Sequence, residues 1–240
     1  MKPPQPSPPT PRAVLFDAYG TLFDVHSVGA RLDELFAGQG PRIAALWRDK
    51  QIEYTRLASM SRRYRPFGDL TRRALRQACA LLGLPLQPAS EDELMDAYLR
   101  LAPFAESGGV LRELKARGVR AGVLSNGDPP MLQPVIAQAG FEHLLDPVLS
   151  AHDVQRFKTD DAVYALGPRV LGLPASEIVF VSSNGWDAIG ATWYGYTTLW
   201  VNRARQPLDP LDTAPTRIGS SLRDVLDFDF RSTAPTAPTP

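Results

Sequence analysis

The chain has 240 residues, 44% of them hydrophobic and 22% charged, with 26 basic residues balancing 26 acidic ones. That apolar share excludes wholesale disorder, and the zero net charge argues against nucleic acid as the main partner. No apolar run is long enough to cross a membrane, and a single cysteine, Cys79, supports neither an internal disulfide nor a zinc cluster.

Both ends are rich in proline, so residues 1–11 and 232–240 are expected to be extended tails with little to bury. The start, Met1-Lys2-Pro3-Pro4, has no apolar leader, and the expectation is a cytoplasmic protein. Ala13-Val14-Leu15-Phe16 reads as a buried strand that delivers Asp17 to its C-terminal end. From about Val28 to Leu101 the pattern is helical. Ile43, Leu46, Trp47, Tyr54 and Leu57 form one apolar stripe, and Leu70, Ala74, Leu75, Ala78, Leu81 and Leu82 form another. Gly83 and Pro85 stop that second helix.

After Pro103 helices and strands alternate. Helices are predicted at Val110–Ala116, Met131–Ala139, Ala162–Leu171, Ala188–Tyr194 and Ser221–Leu226. Strands are predicted at Val119–Leu124, Val148–Ser150, Ile178–Val181 and Thr197–Val201. The alternation predicts an α/β fold with a doubly wound, mainly parallel, Rossmann-like sheet. Residues 12–24 and 102–231 would form this core, and residues 25–101 an inserted helical cap. Ligands of such sheets bind at the carboxyl ends of the strands. Here those ends carry Asp17, Ser125-Asn126, the Lys158 loop, and Ser182-Ser183-Asn184 with Asp187 beyond.

Each of these residues has a plain reading as well as a chemical one. Asp17 caps a turn, or it is a nucleophile paired with Lys158. Ser125, Asn126, Ser182, Ser183 and Asn184 cap the helices that follow, or they bind an anion at a helix N-terminus. Asp187 suits the first turn of a helix in any case. Arg48 reads as a surface arginine with a packed stem, and Phe67 and Trp186 as core residues. His26, His143 and His152 lack metal-ligand spacing. The arginines between Arg62 and Arg76 read as a solvated helical face.

The stretch Phe16-Asp17-Ala18-Tyr19-Gly20-Thr21-Leu22-Phe23-Asp24 resembles the haloacid dehalogenase superfamily, and within it the L-2-haloacid dehalogenase branch. The motifs Ala45-Leu46-Trp47-Arg48, Tyr98–Phe104, Leu124-Ser125-Asn126-Gly127, Phe157-Lys158 and Phe180–Asp187 are similar to that branch as well. Together they cover about residues 12 to 228 in one continuous order. The resemblance implies hydrolysis of short L-(S)-2-haloalkanoic acids to D-(R)-2-hydroxy acids and halide, with inversion at C2 and no metal or cofactor. Asp17 would form an ester with C2, with Thr21 and Ser182 orienting it and Lys158 holding it ionised. Asn184 and Asp187 would position or activate the hydrolytic water. Arg48, Asn126 and Trp186 would receive the halide, and Ser125 with nearby amides the substrate carboxylate. Tyr19, Phe67 and Tyr164 would orient side chains and line the pocket, and a homodimer is implied.

The main alternative is a magnesium-dependent phosphatase or phosphonatase of the same superfamily. It would need an acid where Tyr19 stands and another where Ser183 stands. A non-catalytic binding protein of the same fold would predict a broken set of residues, and no member of the set is missing. Asp49, after Arg48, replaces a neutral amide expected in close relatives, and it is predicted to face solvent.

Overall fold

The computed structural model describes residues 10–231, so most of both proline-rich tails lies outside the described residues. The last tail residue is not loose: Pro11 is buried and its carbonyl accepts the Arg231 N–H at 2.8 Å. Six strands form one wholly parallel sheet: β1 (Ala13–Phe16), β2 (Arg120–Ser125), β3 (Val148–Ser150), β4 (Ile178–Ser182), β5 (Thr197–Val201) and β6 (Arg217–Gly219). Their order is β3-β2-β1-β4-β5-β6. β1 pairs on both sides, with β2 and β4, so every one of its side chains is buried and its sequence is an unbroken apolar run. The winding direction reverses between β1 and β4. Such a reversal opens a crevice at the strand ends, and Asp17 and Ser182 both stand at its rim.

Between β1 and β2 run four helices, α1 (Gly29–Leu35), α2 (Gly40–Met60), α3 (Phe67–Leu81) and α4 (Pro88–Tyr98), and then α5 (Ser107–Ala116) returns to the sheet. The inward face of α2 is Ile43, Ala44, Trp47, Gln51, Thr55 and Ala58. Leu57, assigned to the buried stripe from sequence, is 61% exposed, and Leu81 at the end of α3 is 54% exposed. Buried Gln51 and Thr55 hold the inward positions instead, because hydrogen bonds satisfy their polar atoms. α3 ends as expected, with Gly83 at φ +66° and the Leu84 N–H returning to Cys79 O.

The remaining helices are α6 (Pro129–Gln138), α7 (Asp161–Tyr164), α8 (Leu166–Leu171) and α9 (Gly185–Tyr194). The single helix expected over 162–171 is thus two. Pro168 has no N–H to give the Tyr164 carbonyl, and Tyr196 Oη donates to that carbonyl at 2.5 Å. α5 starts three residues earlier than its pattern suggested, because Gly108 and Gly109, poor helix formers, hide the first turn. The closing helix expected at 221–226 is a 3₁₀ turn, Leu222–Asp227, with Ser221 and Asp224 forming a capping box. β6 was not foreseen. It is a three-residue edge strand defined by pairing with β5 rather than by any apolar pattern. Among the described residues no helix is long and apolar enough to cross a membrane.

Candidate active site

Asp17 follows β1 directly, and its N–H still bonds to Val181 O on β4, which fixes the carboxylate at the sheet rim. The two carboxylate oxygens have different partners. Oδ2 accepts from Thr21 Oγ1 at 3.1 Å and Asn184 Nδ2 at 2.9 Å, while Oδ1 accepts from Lys158 Nζ alone at 3.0 Å. Thr21 can donate to Asp17 because its oxygen accepts the Ser183 N–H. Ser182 reaches Asp17 only indirectly: its hydroxyl accepts the Asn184 N–H at 3.1 Å and shapes the turn that presents Asn184.

Lys158 is 1% exposed and bridges two carboxylates, with Asp187 Oδ2 at 2.9 Å. Its own N–H donates to Asn126 Oδ1, so Asn126 ties the β2 and Lys158 loops together. Burial disfavours the ammonium, but Asp17 and Asp187 outweigh that cost and hold the Lys158 pKa above the ordinary lysine value. Asp187 is completely buried, and burial pushes its pKa above the usual carboxylate range. Lys158 opposes that rise and the Asp17 charge adds to it. The rise therefore comes chiefly from burial, which the shared Lys158 ammonium offsets only in part.

Tyr164 does not line the cavity as expected. It lies behind Asp187, fully buried, with its hydroxyl donating to Asp187 Oδ1 at 2.8 Å. Gly190 on α9 permits that approach, since a Cβ there would stand 2.7 Å from both Tyr164 Oη and Thr159 Cγ2. Gly190→Ala is therefore expected to cost about 1–3 kcal/mol in urea unfolding and to lower turnover by displacing the tyrosine from Asp187. Wild-type stability in the variant would refute this packing argument.

Above Asp17, α2 and α3 close a small cavity. α2 supplies Arg48, which donates to Gln51 Oε1 at 2.6 Å, Tyr19 O at 3.2 Å and Asn184 Oδ1 at 3.3 Å. α3 supplies Phe67, stacked on Tyr19 with ring centroids 5.4 Å apart. Ser125, Asn126 and Trp186 complete the wall from the core side. Of the expected pocket residues only Tyr164 is elsewhere. The Tyr19 hydroxyl is buried without a hydrogen-bond partner among the described residues. Burial, then Tyr98, Asp128 and Asp17, push its pKa well up against the pull of Arg48, so it stays a neutral donor. Ser125 Oγ accepts the Gly127 N–H, which leaves its proton for a ligand. The N-terminus of α6 is no anion site, because Pro129 and Pro130 carry no N–H and Asp128 is its cap residue. Asp49 is exposed, as expected.

Sequence reading missed two residues that organise this site. Arg203 follows β5, donates to Ser183 Oγ at 2.6 Å and to the carbonyls of Gly20 and Thr21, pairs with Glu106 and stacks over Phe104. Its place at a strand end was a usable signal. Gln51, one turn from Arg48, sits among apolar neighbours on the inward face of α2.

The donor set does not fit magnesium, which needs several hard oxygens. Asp17 and Asp187 are both bound to the Lys158 ammonium. The Tyr19 carbonyl receives Arg48 and Asn184, and the Ser183 hydroxyl receives Arg203. Each of these oxygens already faces a cationic or N–H donor.

Comparison with known proteins agrees with this geometry. Residues 11–195 match the family described as haloacid dehalogenase-like hydrolase. A (S)-2-haloacid dehalogenase of Pseudomonas sp. (strain YL) is 48% identical over 217 residues, which span 90% of this chain and 94% of that protein. The crystal structure of the L-2-haloacid dehalogenase RSc1362 superposes with a TM-score of 0.90 at 51% identity, covering 92% of this chain and 99% of that one. The L-2-haloacid dehalogenase of Xanthobacter autotrophicus with chloropropionic acid covalently bound gives a TM-score of 0.84 at 35% identity, over 90% and 97% of the two chains. The fold is thus shared with these enzymes along nearly the whole length, and the chain belongs to the haloacid dehalogenase-like hydrolase family.

Proposed function

We propose that this hydrolase converts short (S)-2-haloalkanoic acids to (R)-2-hydroxy acids and halide through an ester on Asp17. The observation that carries the reading is the unequal engagement of the two Asp17 oxygens. Oδ1 has one partner and keeps a lone pair for attack on C2 from the side opposite the halogen. Carbon–halogen cleavage gives halide, and C2 becomes bonded to Oδ1 with inversion. Oδ2 then becomes the ester carbonyl oxygen, already facing Thr21 and Asn184. As water adds to Asp17 Cγ, those two donors stabilise the developing oxyanion. Asp187, with its raised pKa, accepts the proton of the water. Lys158, beside Oδ1, gives a proton to the departing hydroxy-acid oxygen and recovers one from Asp187, which it contacts. The Asp17 carboxyl then loses its proton to solvent, so the overall yield is hydroxy acid, halide and one proton.

Arg48 carries the charge that would receive the halide, with Trp186 and Asn126 beside it. The free Ser125 and Tyr19 hydroxyl protons suit the substrate carboxylate. In this reading residues 25–101 act as the cap that excludes water before ester hydrolysis. The enzyme works in the cytoplasm as a homodimer, and light scattering in solution tests the latter.

The test is halide release from (S)- and (R)-2-chloropropionate in EDTA, with Asp17→Ala as control. Release from the S enantiomer alone, lost in the variant, is the expected result. Inert 2-haloacids together with EDTA-sensitive hydrolysis of a phosphate ester would overturn the proposal.

A further inference from the structure

The polar group that holds Arg48 in place lies inside the cap, where an apolar residue would cost less. Gln51 is 1% exposed, and both its amide oxygen and its amide nitrogen are hydrogen-bonded. Oε1 accepts from Arg48 Nη1 at 2.6 Å and Tyr98 Oη at 3.2 Å, and Nε2 donates to Thr71 Oγ1 at 2.7 Å. The Thr71 hydroxyl spends its proton on Phe67 O at 2.8 Å, so its oxygen can only accept from Gln51. That fixes which end of the amide faces Arg48: the oxygen. Trp47 Nε1 donates to Thr71 O at 2.8 Å and braces the same turn of α3. A buried relay therefore runs from Phe67 through Thr71 and Gln51 to the guanidinium, and it joins two residues of the cavity wall, Phe67 on α3 and Arg48 on α2.

The charge of this cradle matters as much as its shape. All three acceptors on Arg48 are neutral: an amide oxygen of Gln51, the Tyr19 carbonyl and an amide oxygen of Asn184. Other organised arginines of this chain contrast with it: Arg72, Arg76 and Arg203 all pair with carboxylates. A guanidinium held by neutral dipoles keeps its full charge for an anion, whereas one held by a carboxylate has already satisfied it.

We infer that Gln51 is a positioning residue that aims Arg48 into the cavity with a neutral acceptor, reserving the guanidinium charge for the departing halide. This rests on the dehalogenase reading. The relay must supply an amide at position 51 and a hydroxyl at position 71.

Chloride binding, read by chlorine NMR line broadening, and steady-state constants for (S)-2-chloropropionate test it together. Gln51→Glu keeps the shape and adds a charge. It removes the N–H that Thr71 Oγ1 accepts but can pair with Arg48, and it is expected to fold, to weaken chloride about tenfold or more, and to lower kcat more than KM rises. Gln51→Met and Thr71→Val break the relay without adding charge and should weaken chloride by a few-fold, whereas Thr71→Ser should restore wild-type values. If Gln51→Glu fails to fold, Gln51→Met and the Thr71 pair decide the matter. Wild-type chloride affinity and kcat in folded Gln51→Glu, or in both Gln51→Met and Thr71→Val, would overturn the inference while leaving the dehalogenase reading intact. A wild-type protein that neither broadens the chloride line nor releases halide would overturn both.

Discussion

Asp17→Asn is expected to abolish halide release, with a loss of at least about 10⁴-fold in kcat, while leaving the fold in place. The amide has the size of the carboxylate, and its oxygen can still accept from Thr21 and Asn184. It has no anionic lone pair at the position of Oδ1, so no ester can form. A single-turnover reaction in heavy-oxygen water sharpens the test on the wild-type enzyme. If water attacks Asp17 Cγ, the label enters the Asp17 carboxylate in the first turnover and reaches hydroxy acid only later. Label in the first equivalent of product would mean that water attacks C2 directly and that Asp17 serves as a base. The fold and the lining residues would be unaffected by that outcome, but the role argued for Oδ2, Thr21 and Asn184 would fall.

Lys158→Met should be nearly as damaging, and it should damage stability too. The substitution roughly conserves volume but leaves Asp17 and Asp187 buried without their shared cation. Removing one member of such a buried set costs about 3–5 kcal/mol. The pH dependence gives the argument a sign. Lys158 has a raised pKa in the fold, so its contribution is fully present below the ordinary value of 10.5 and is lost as pH rises through the higher folded value. Wild-type turnover and stability should therefore hold well into alkaline pH before falling. In the variant Asp187 loses the cation that opposes its raised pKa and keeps the Asp17 charge beside it, so the native state binds its proton more tightly than the unfolded chain. Its urea midpoint should accordingly rise as pH falls from neutral towards 5, the reverse of ordinary acid destabilisation. A midpoint that drops over that range would show that the two carboxylates do not interact as the geometry requires.

Asp17 and its immediate partners were legible because they sit at strand ends, where the topology of a parallel sheet concentrates function. Asp17, Lys158, Asn184 and Asp187 are far apart in sequence but were nominated by one rule, and the structure brings them within hydrogen-bond reach. Other features were hidden for specific physical reasons. Tyr164 was assigned to the pocket by motif position, yet Gly190 opens the space that lets its hydroxyl support Asp187 from behind. Leu57 fits an apolar stripe on paper, but the buried face of α2 admits Gln51, which finds partners on α3 and α4, and Thr55, whose hydroxyl donates to Ile52 O within α2. Arg203 carries no motif, although it gathers three loops around the site.

By itself the sequence determined the parallel α/β core, the inserted helices and the set of polar residues gathered at the strand ends. Those depend on apolar periodicity and on polar residues placed where strands end, both of which are local. The tertiary structure alone decided which Asp17 oxygen faces Lys158 and which faces Thr21 and Asn184, that Lys158 serves two carboxylates, and that Arg48 is held by neutral acceptors. Those properties are relations between side chains up to 167 residues apart. Hydrogen-bond partners and burial, which set charge and direction in the site, exist only once the chain has brought them together.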